Sequence, residues 1–545
     1  MSGPEDVYDY IIVGAGAAGC VLANRLSEDR GARVCLIEAG PPDRSPKIHV
    51  PAAVAAAIGD KRFGWGFTTT PQPGAGGRPV FLPRGRVVGG SSSINGMVYF
   101  RGHPRDFDDW AGKSGAPGWS YTDLLPYFKR SENNEAWRDS PYHGVGGPMN
   151  VIDIPRNNPL VDRFLDATDS LQFKRNRDFN AADPEGFGPR QATIKRGRRV
   201  SMATAFLDPA RRRPNLSVLT DALVTRVRVE DGRAVGVDLE TLGLTGGLTA
   251  RREVILCGGS YGSPHLLLLS GIGDSAHLQA MGISPVHHLP AVGRALADHP
   301  AAAVAMRTKH PDSYGLSWRA LPRDIWNIAE YALFRGGPMA SNLLEAHGFV
   351  KSRPDLDRPD LQLVFIPAHR NASGFPIPFG HGYGIISINV RPASRGAVTL
   401  ASPDPRAAPA IDPNLFGDPE DMEVVLRGLR LGRRILAAQP FQPLKSHEIL
   451  PGPEVESDED WKAYIRRTMV TVHHPSGTCR LGQDPGTVVD LELKVRGIAG
   501  LRVADASVFP EPIAGNSNAG VVMVAEKAAD LILGRTPPAP EHVPH

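Results

Sequence analysis

The sequence predicts an α/β fold: a nucleotide-binding domain on a parallel sheet, with a second, α+β domain inserted into it. Three observations lead there. The chain opens with a strand, a glycine-rich turn, a helix and a second strand between Tyr8 and Glu38. A strand–loop–helix order returns near the C-terminus, between Leu501 and Leu533. The stretch from about Ala301 to Met469 has a different texture, with Pro-broken extended segments and capped helices. At 545 residues the chain exceeds the size at which one hydrophobic core keeps growing, so at least two domains are expected.

The first element, Tyr8-Asp9-Tyr10-Ile11-Ile12-Val13, is a short apolar run that breaks into Gly14-Ala15-Gly16-Ala17-Ala18-Gly19. This is the G-x-G-x-x-G spacing that opens a helix beneath a pyrophosphate. Gly14 permits the tight turn, Gly16 lets the backbone approach the phosphates without a Cβ in the way, and Gly19 lets the helix lie close on the sheet. The helix N-terminus then offers free N–H groups to the anion, which makes Gly14, Gly16, Ala17, Ala18 and Gly19 candidate cofactor contacts. The next run, Ala32 to Ile37, ends at Glu38, whose carboxylate can meet a ribose hydroxyl and would repel a 2′-phosphate. The motif alone is a weak signal and could be a Gly/Ala-rich turn between packed elements. Two flanking strands and an acid at the right distance make it a Rossmann-like dinucleotide site.

Leu216–Leu219, Leu223–Val229, Ala234–Val237 and Glu253–Leu256 read as strands, with Asp231-Gly232 as a hairpin turn. In the inserted part, Leu361–Phe365 and Ile385–Val390 read as strands. One helix begins at Asp418-Pro419-Glu420, with Asp418 as N-cap and Pro419 as first helical residue, and another at Ser457 with acids in its first turn. Leu501–Ala504 is a strand ending at Asp505, and Val521 to Leu533 has helical spacing, with Glu526 and Lys527 on a polar face. Residues 1–160, 200–300 and 470–545 are therefore assigned to the nucleotide domain. Residues 161–199 and 301–469 are assigned to a substrate domain of antiparallel strands with helices. The Pro-rich tail from Thr536 to His545 is expected to be disordered.

Composition narrows the function. The chain is 41% hydrophobic and 22% charged, and no run approaches the roughly 18 apolar residues of a membrane span, so it reads as soluble. Met1 to Asp6 passes straight into the first strand without a secretory pattern, so the cytoplasm is expected, with at most peripheral contact with the inner membrane. A net charge of +3 does not argue for nucleic acid. The clusters Lys195-Arg196-Gly197-Arg198-Arg199 and Arg211-Arg212-Arg213 read as solvated or structural arginines ahead of an anionic partner or a membrane surface. Cys20, Cys35, Cys257 and Cys479 lie far apart without metal-type spacing and read as small buried hydrophobes, so neither disulfides nor a metal is expected.

Three further segments carry chemistry. Pro83 to Met97 is rich in Gly and Ser, which lets backbone N–H groups approach a flat ligand or an anion, and its Val87, Ile94 and Met97 anchors argue against a flexible linker. Gly258 to Gly273 reads as a strand end, a small-residue turn and an apolar helix closed by glycine. Val472 to Arg480 puts His473 and His474 before Pro475 in a segment expected to be extended, so that only one of the two meets a given ligand. A hydrogen-bonded core histidine is the competing reading.

With these motifs in place, the chain resembles the glucose-methanol-choline (GMC) flavoprotein oxidoreductases from Tyr8 to Leu533. Gly14 to Gly19, Gly85 to Trp110, Gly259 to Gly273, and His474-Pro475-Ser476-Gly477-Thr478 with Gly515-Asn516-Ser517-Asn518 match four family motifs in order. Within the family it is most similar to choline dehydrogenase and the bacterial alcohol dehydrogenases, through Gly89 to Met97 and Asn516 to Gly520. The resemblance implies FAD, with His474 as catalytic histidine and Asn516 as second catalytic position, while His473 turns away. It further implies that Gly90 contacts the cofactor and that Asn95, Gly96, Met97 and Val98 line the isoalloxazine ring. Val224 would meet the adenine, and Asp505 and Ala506 would lie near the ribityl and pyrophosphate end. Members with a covalent histidyl flavin carry histidine where this chain has Ile94, so noncovalent FAD is expected. Glu345 sits where choline-oxidising relatives place a cation-binding glutamate.

The implied reaction is oxidation of a primary alcohol to an aldehyde, with His474 as base and Asn516 holding the α-carbon towards flavin N5. Hydroxynitrile lyase and light-driven decarboxylase activities on the same fold are the alternatives. The motifs leave open which alcohol is used, whether oxygen or a quinone or dye takes the electrons, and whether the protein is a monomer or a homodimer.

Overall fold

The computed structural model describes residues 7–155, 157–241, 243–369 and 379–544. Two seven-stranded sheets organise them. In the first, the strand order is Leu216–Leu219, β2 (Val34–Ile37), β1 (Val7–Val13), Leu244–Leu256, Arg233–Thr241 and Ala222–Glu230, with Leu501–Val503 also pairing along Leu244–Leu256. The strands around β1 are parallel. Ile11, Ile12, Val34, Cys35 and Leu36 are fully buried, the state a continuous apolar run needs when both faces of a parallel sheet are covered. Asp231 (φ 47°) and Gly232 (φ 72°) form the expected tight turn of the antiparallel arm, with positive φ at both central positions.

The helix Asn518–Leu533 corrects one expectation. Its spacing put Glu526 and Lys527 on a polar face, which would ordinarily meet solvent, but both are buried. Each is tolerated because it finds a partner. Arg25, on α1 (Ala17–Leu26), donates to both Glu526 oxygens at 3.0 and 2.7 Å. Lys527 Nζ donates to the Gly118 carbonyl at 2.7 Å, under the rings of Trp119 and Tyr127. The tail corrects another. Its prolines exclude regular structure but not packing: Val543 is buried, the Glu541 amide donates to Thr122 O at 3.0 Å, Glu541 pairs with Lys129, and the Tyr142 hydroxyl donates to the Pro544 carbonyl.

The second sheet is antiparallel, ordered His447–Leu450, Pro300–Thr308, His381–Asn389, Leu361–Ile366, Ala346–Val350 and Gly186–Pro189. Val470–Thr471 pairs with its Pro300–Ala301 end, so this sheet reaches across the boundary expected at 470. Period-two alternation gives it two working faces. Leu361, Leu363 and Phe365 point into a core with Phe164, Val425, Leu429 and Trp461, while Gln362, Val364 and Ile366 line a cavity on the other side. The covering helices start where the sequence put them. Asp418 Oδ1 accepts from Glu420 N at 2.9 Å ahead of Pro419–Leu436, and Ser457 and Asp460 form a reciprocal cap on Asp458–Thr468. Gly428 lets the longer helix sit on the sheet, since a Cβ there would stand 2.0 Å from Ser387 Oγ. No helix among the described residues is long and apolar enough to cross a membrane. The four cysteines are buried and free.

Candidate active site

A cavity of about 580 Å³ runs between the two sheets, bordered at one end by Glu38 and Val224 and reaching His474 and Asn516. Its nucleotide end is built from glycine packing. Gly14 has φ +100°, and a Cβ there would stand 2.6 Å from Cys257 O. A Cβ on Gly19 would strike Gly14 O at 1.9 Å, so this glycine allows α1 to close on the turn. Gly16 differs: its missing Cβ has no protein neighbour nearer than 3.8 Å and leaves room for a ligand. Ala17 and Ala18 border the same space at the start of α1, whose N-terminus no side chain caps. The Glu38 oxygens accept the Ala15 and Gly40 amides, both at 2.9 Å, and burial pushes its carboxyl up to about 7.

The Gly/Ser-rich run is an ordered wall rather than a linker. Gly89 (φ 89°) and Gly90 (φ 54°) lead into a short helical turn, Gly90–Ser93, and a Cβ at Gly90 would lie 2.7 Å from Gly16 Cα. Arg199 fastens the run from behind. Its guanidinium donates to Ile48 O, Ser92 O and Asn95 O at 2.7, 3.1 and 2.6 Å, and to Asn95 Oδ1 at 2.9 Å. One arginine of the basic cluster is thus structural. Asn95, Gly96, Met97 and Val98 face the cavity, with the Met97 amide donating to Asn95 Oδ1 at 3.0 Å. Asp505 is also on the wall. It accepts from Gly259 N (2.8 Å), Ser263 Oγ (2.6 Å) and Ser507 N (2.8 Å), with Ala506 beside it.

At the far end, His474 Nε2 and Asn516 Nδ2 are 3.0 Å apart. His474 Nδ1 lies 3.1 Å from Nδ1 of buried His299, and the His474 amide donates to Asp298 Oδ1 at 2.7 Å. Burial first, then the charges of His299, His473 and Arg84, holds His474 well below the ordinary imidazole range, and burial takes His299 down to about 3. Both rings are neutral at pH 7. Burial pushes the Asp298 carboxyl up to about 6 against the attraction of Arg84. Nothing in the sequence marked Asp298 or His299, because single residues without spacing partners carry no pattern.

Two expectations change here. His473 has φ +68°, so the histidine pair is not extended, and both rings border the cavity. His473 is tied through Nδ1 to Thr471 Oγ1 at 3.2 Å and does not reach Asn516. Glu345 is not a cavity residue. Its oxygens accept the Asn157 amide (3.0 Å), the Asn158 amide (3.2 Å) and the Tyr314 hydroxyl (2.5 Å), so it pins a loop, while its neighbour Leu344 lines the space.

A glycine cradle for a dinucleotide that ends at an imidazole–amide pair defines a cofactor-dependent oxidoreductase site. The GMC oxidoreductase family models match residues 8–301 and 392–525, and the chain belongs to that family. It is 43% identical to the alcohol dehydrogenase (acceptor) of Pseudomonas putida over 529 residues, covering 97% of this chain and 96% of that protein. It is 42% identical to the oxygen-dependent choline dehydrogenase of Brucella ovis over 531 residues, with the same coverage. Among solved structures, pyridoxine 4-oxidase from Mesorbium loti matches with a TM-score of 0.86 and 32% identity over 96% of this chain and 98% of that one. A formate oxidase matches with a TM-score of 0.91 and 28% identity over 98% and 99%. The protein is an FAD-dependent oxidoreductase, and its residues fit that cofactor: the open Gly16 position, the uncapped α1 N-terminus and the unpartnered Asn516 Oδ1 all border the cavity.

Proposed function

We propose that the protein oxidises a primary alcohol to the aldehyde. Bound FAD would supply the hydride acceptor, held by Gly14 to Gly19, Glu38, Gly90, Asn95 to Val98, Val224, Asp505 and Ala506. Noncovalent attachment is supported by Ile94, a buried aliphatic side chain that offers no nucleophile.

The observation that carries the reading is the 3.0 Å approach of Asn516 Nδ2 to His474 Nε2. With the amide as donor, Nε2 keeps its lone pair and the ring proton sits on Nδ1, donated to His299 Nδ1. An alcohol entering this corner takes the place of the Asn516–His474 bond: its hydroxyl donates to the Nε2 lone pair so released, and its oxygen accepts an Asn516 N–H. His474 removes the hydroxyl proton, a step for which a neutral imidazole is suited and which contributes on the order of 10²–10⁴-fold. Asn516 fixes the oxygen and so the direction of the carbinol C–H bond. Val364, Ile366 and Ile386 add apolar surface to the lining of the same cavity. The names of the relatives support an alcohol substrate.

The test is anaerobic stopped-flow mixing of the flavoprotein with a panel of primary alcohols, followed by admission of oxygen or a quinone. Bleaching of the flavin by at least one alcohol, and its return with one acceptor, is expected. A panel that leaves the flavin oxidised throughout contradicts the proposal.

A further inference from the structure

Arg190 takes no part in the chemistry above, yet it lines the same cavity as His474. It is 3% exposed, and its Nε and Nη1 have no hydrogen-bond partner. No carboxylate pairs with it among the described residues, whereas buried Arg101 has Glu132 and buried Arg502 has Glu253. Arg199, the other buried arginine of this region, donates through Nε and Nη1 to backbone carbonyls and leaves Nη2 without a partner. Burial alone pushes Arg190 down to about 9, so it remains a cation at neutral pH. An unpaired buried guanidinium is costly unless a partner arrives with the ligand.

Its placement is fixed by the chain on both sides. The Arg190 amide donates to Glu345 O at 3.0 Å and its carbonyl accepts from Ile154 N at 2.9 Å. Pro189 pairs with Ala346 at the edge of the second sheet, and Gln191 pairs with Tyr99, next to Val98 on the wall. The side chain therefore enters where the substrate-side sheet meets the cofactor wall. It does so beside an apolar surface that includes Leu344, Val364 and Ile366. The glutamate expected to attract a cationic alcohol is occupied elsewhere, so the fixed charge on this side of the cavity is positive.

We propose that Arg190 is a specificity residue that binds the carboxylate of a hydroxy acid, whose apolar spacer lies on the sheet and whose primary alcohol reaches His474. This deepens the alcohol-oxidation reading and rests on it for the second end of the substrate. A carboxylate matches the planar guanidinium fork with two parallel N–H···O bonds. A quaternary ammonium alcohol would meet repulsion at the same point.

The experiment compares 4-(hydroxymethyl)benzoate, 4-methylbenzyl alcohol and choline as reductants of the holoenzyme flavin under anaerobic conditions. A second arm measures equilibrium binding of the non-oxidisable 4-methylbenzoate. The anionic alcohol is expected to exceed the neutral one in flavin-reduction efficiency by about 10- to 100-fold, with choline last. In Arg190→Gln that ratio falls towards one and 4-methylbenzoate binding weakens by a similar factor. Arg190→Lys keeps part of both. A parent enzyme that reduces as fast with the neutral alcohol, or with choline, overturns the assignment without touching the alcohol-oxidation reading, and needs no variant. Tight 4-methylbenzoate binding that is lost in Arg190→Gln, in a protein that no alcohol reduces, upholds the anion site and removes the reaction. If Arg190→Gln changes FAD affinity and the flavin spectrum while the anionic-to-neutral ratio stays put, the guanidinium serves the cofactor and the assignment falls.

Discussion

Replacing His299 by alanine removes the acceptor of the Nδ1–H in the tautomer proposed for His474; the two Nδ1 atoms are 3.1 Å apart between two buried rings. Leaving a buried N–H without an acceptor costs about 1–3 kcal/mol. His474 escapes that cost by moving its proton to Nε2, and in that tautomer the nitrogen facing the alcohol can no longer accept a proton. The base-competent population, and with it the rate constant for flavin reduction, should fall by about 5- to 150-fold, the range those energies correspond to. Anaerobic stopped-flow at saturating alcohol reads the rate, and the flavin absorbance of the same sample reports FAD content, which separates a positioning effect from structural loss. His299→Asn restores an acceptor oxygen and should recover most of the rate. An alanine variant as fast as the parent, or an asparagine variant no better than alanine while both retain FAD, would refute the tautomer argument.

Three other outcomes follow from the geometry. Gly90→Ala forces a Cβ to within 2.7 Å of Gly16 Cα at a position with φ +54°, so it should weaken FAD retention and lower the melting temperature; full FAD occupancy in the purified variant would contradict the close packing of the two glycine segments. Glu345→Gln disturbs acceptors of two amides and a hydroxyl, so it should destabilise the protein by about 1–3 kcal/mol in denaturant titration while the KM ratio of choline to a neutral alcohol stays constant. A selective rise in KM for choline would return that carboxylate to a substrate role. The base must be unprotonated to work, so flavin reduction rises with pH through its pKa and is level above it. Because burial, then neighbouring positive charge, lowers that pKa, the acid limb should fall below about pH 6.5, and a limb centred above about pH 7 would contradict the environment described for His474.

Much of this arrangement was written in local patterns. The Gly14 to Gly19 turn, the strands around it and the Asp418 and Ser457 caps each depend on residue types at short, fixed spacing, whereas the pairing of His474 with Asn516, 42 residues away, was implied by the family resemblance. Long-range partnership was not legible. Glu526 and Lys527 look like a solvent face until Arg25, Gly118 and Trp119 are brought to them from distant parts of the chain. The tail looks disordered because proline content says nothing of Lys129 or Tyr142. Glu345 matched a substrate role by position, but the loop at Asn157 and Asn158 claims its oxygens. His299 and Arg190 stand in no motif. Their roles come from what is near them, His474 in one case and an absence of carboxylates among the described residues in the other.

The most direct measurement is anaerobic flavin reduction by a good primary-alcohol substrate in His474→Ala beside the parent, with FAD content matched. The imidazole at 474 acting as proton acceptor requires a fall on the order of 10²–10⁴-fold in the rate of bleaching while the cofactor stays bound. Equal rates in the two proteins would remove His474 from the reaction.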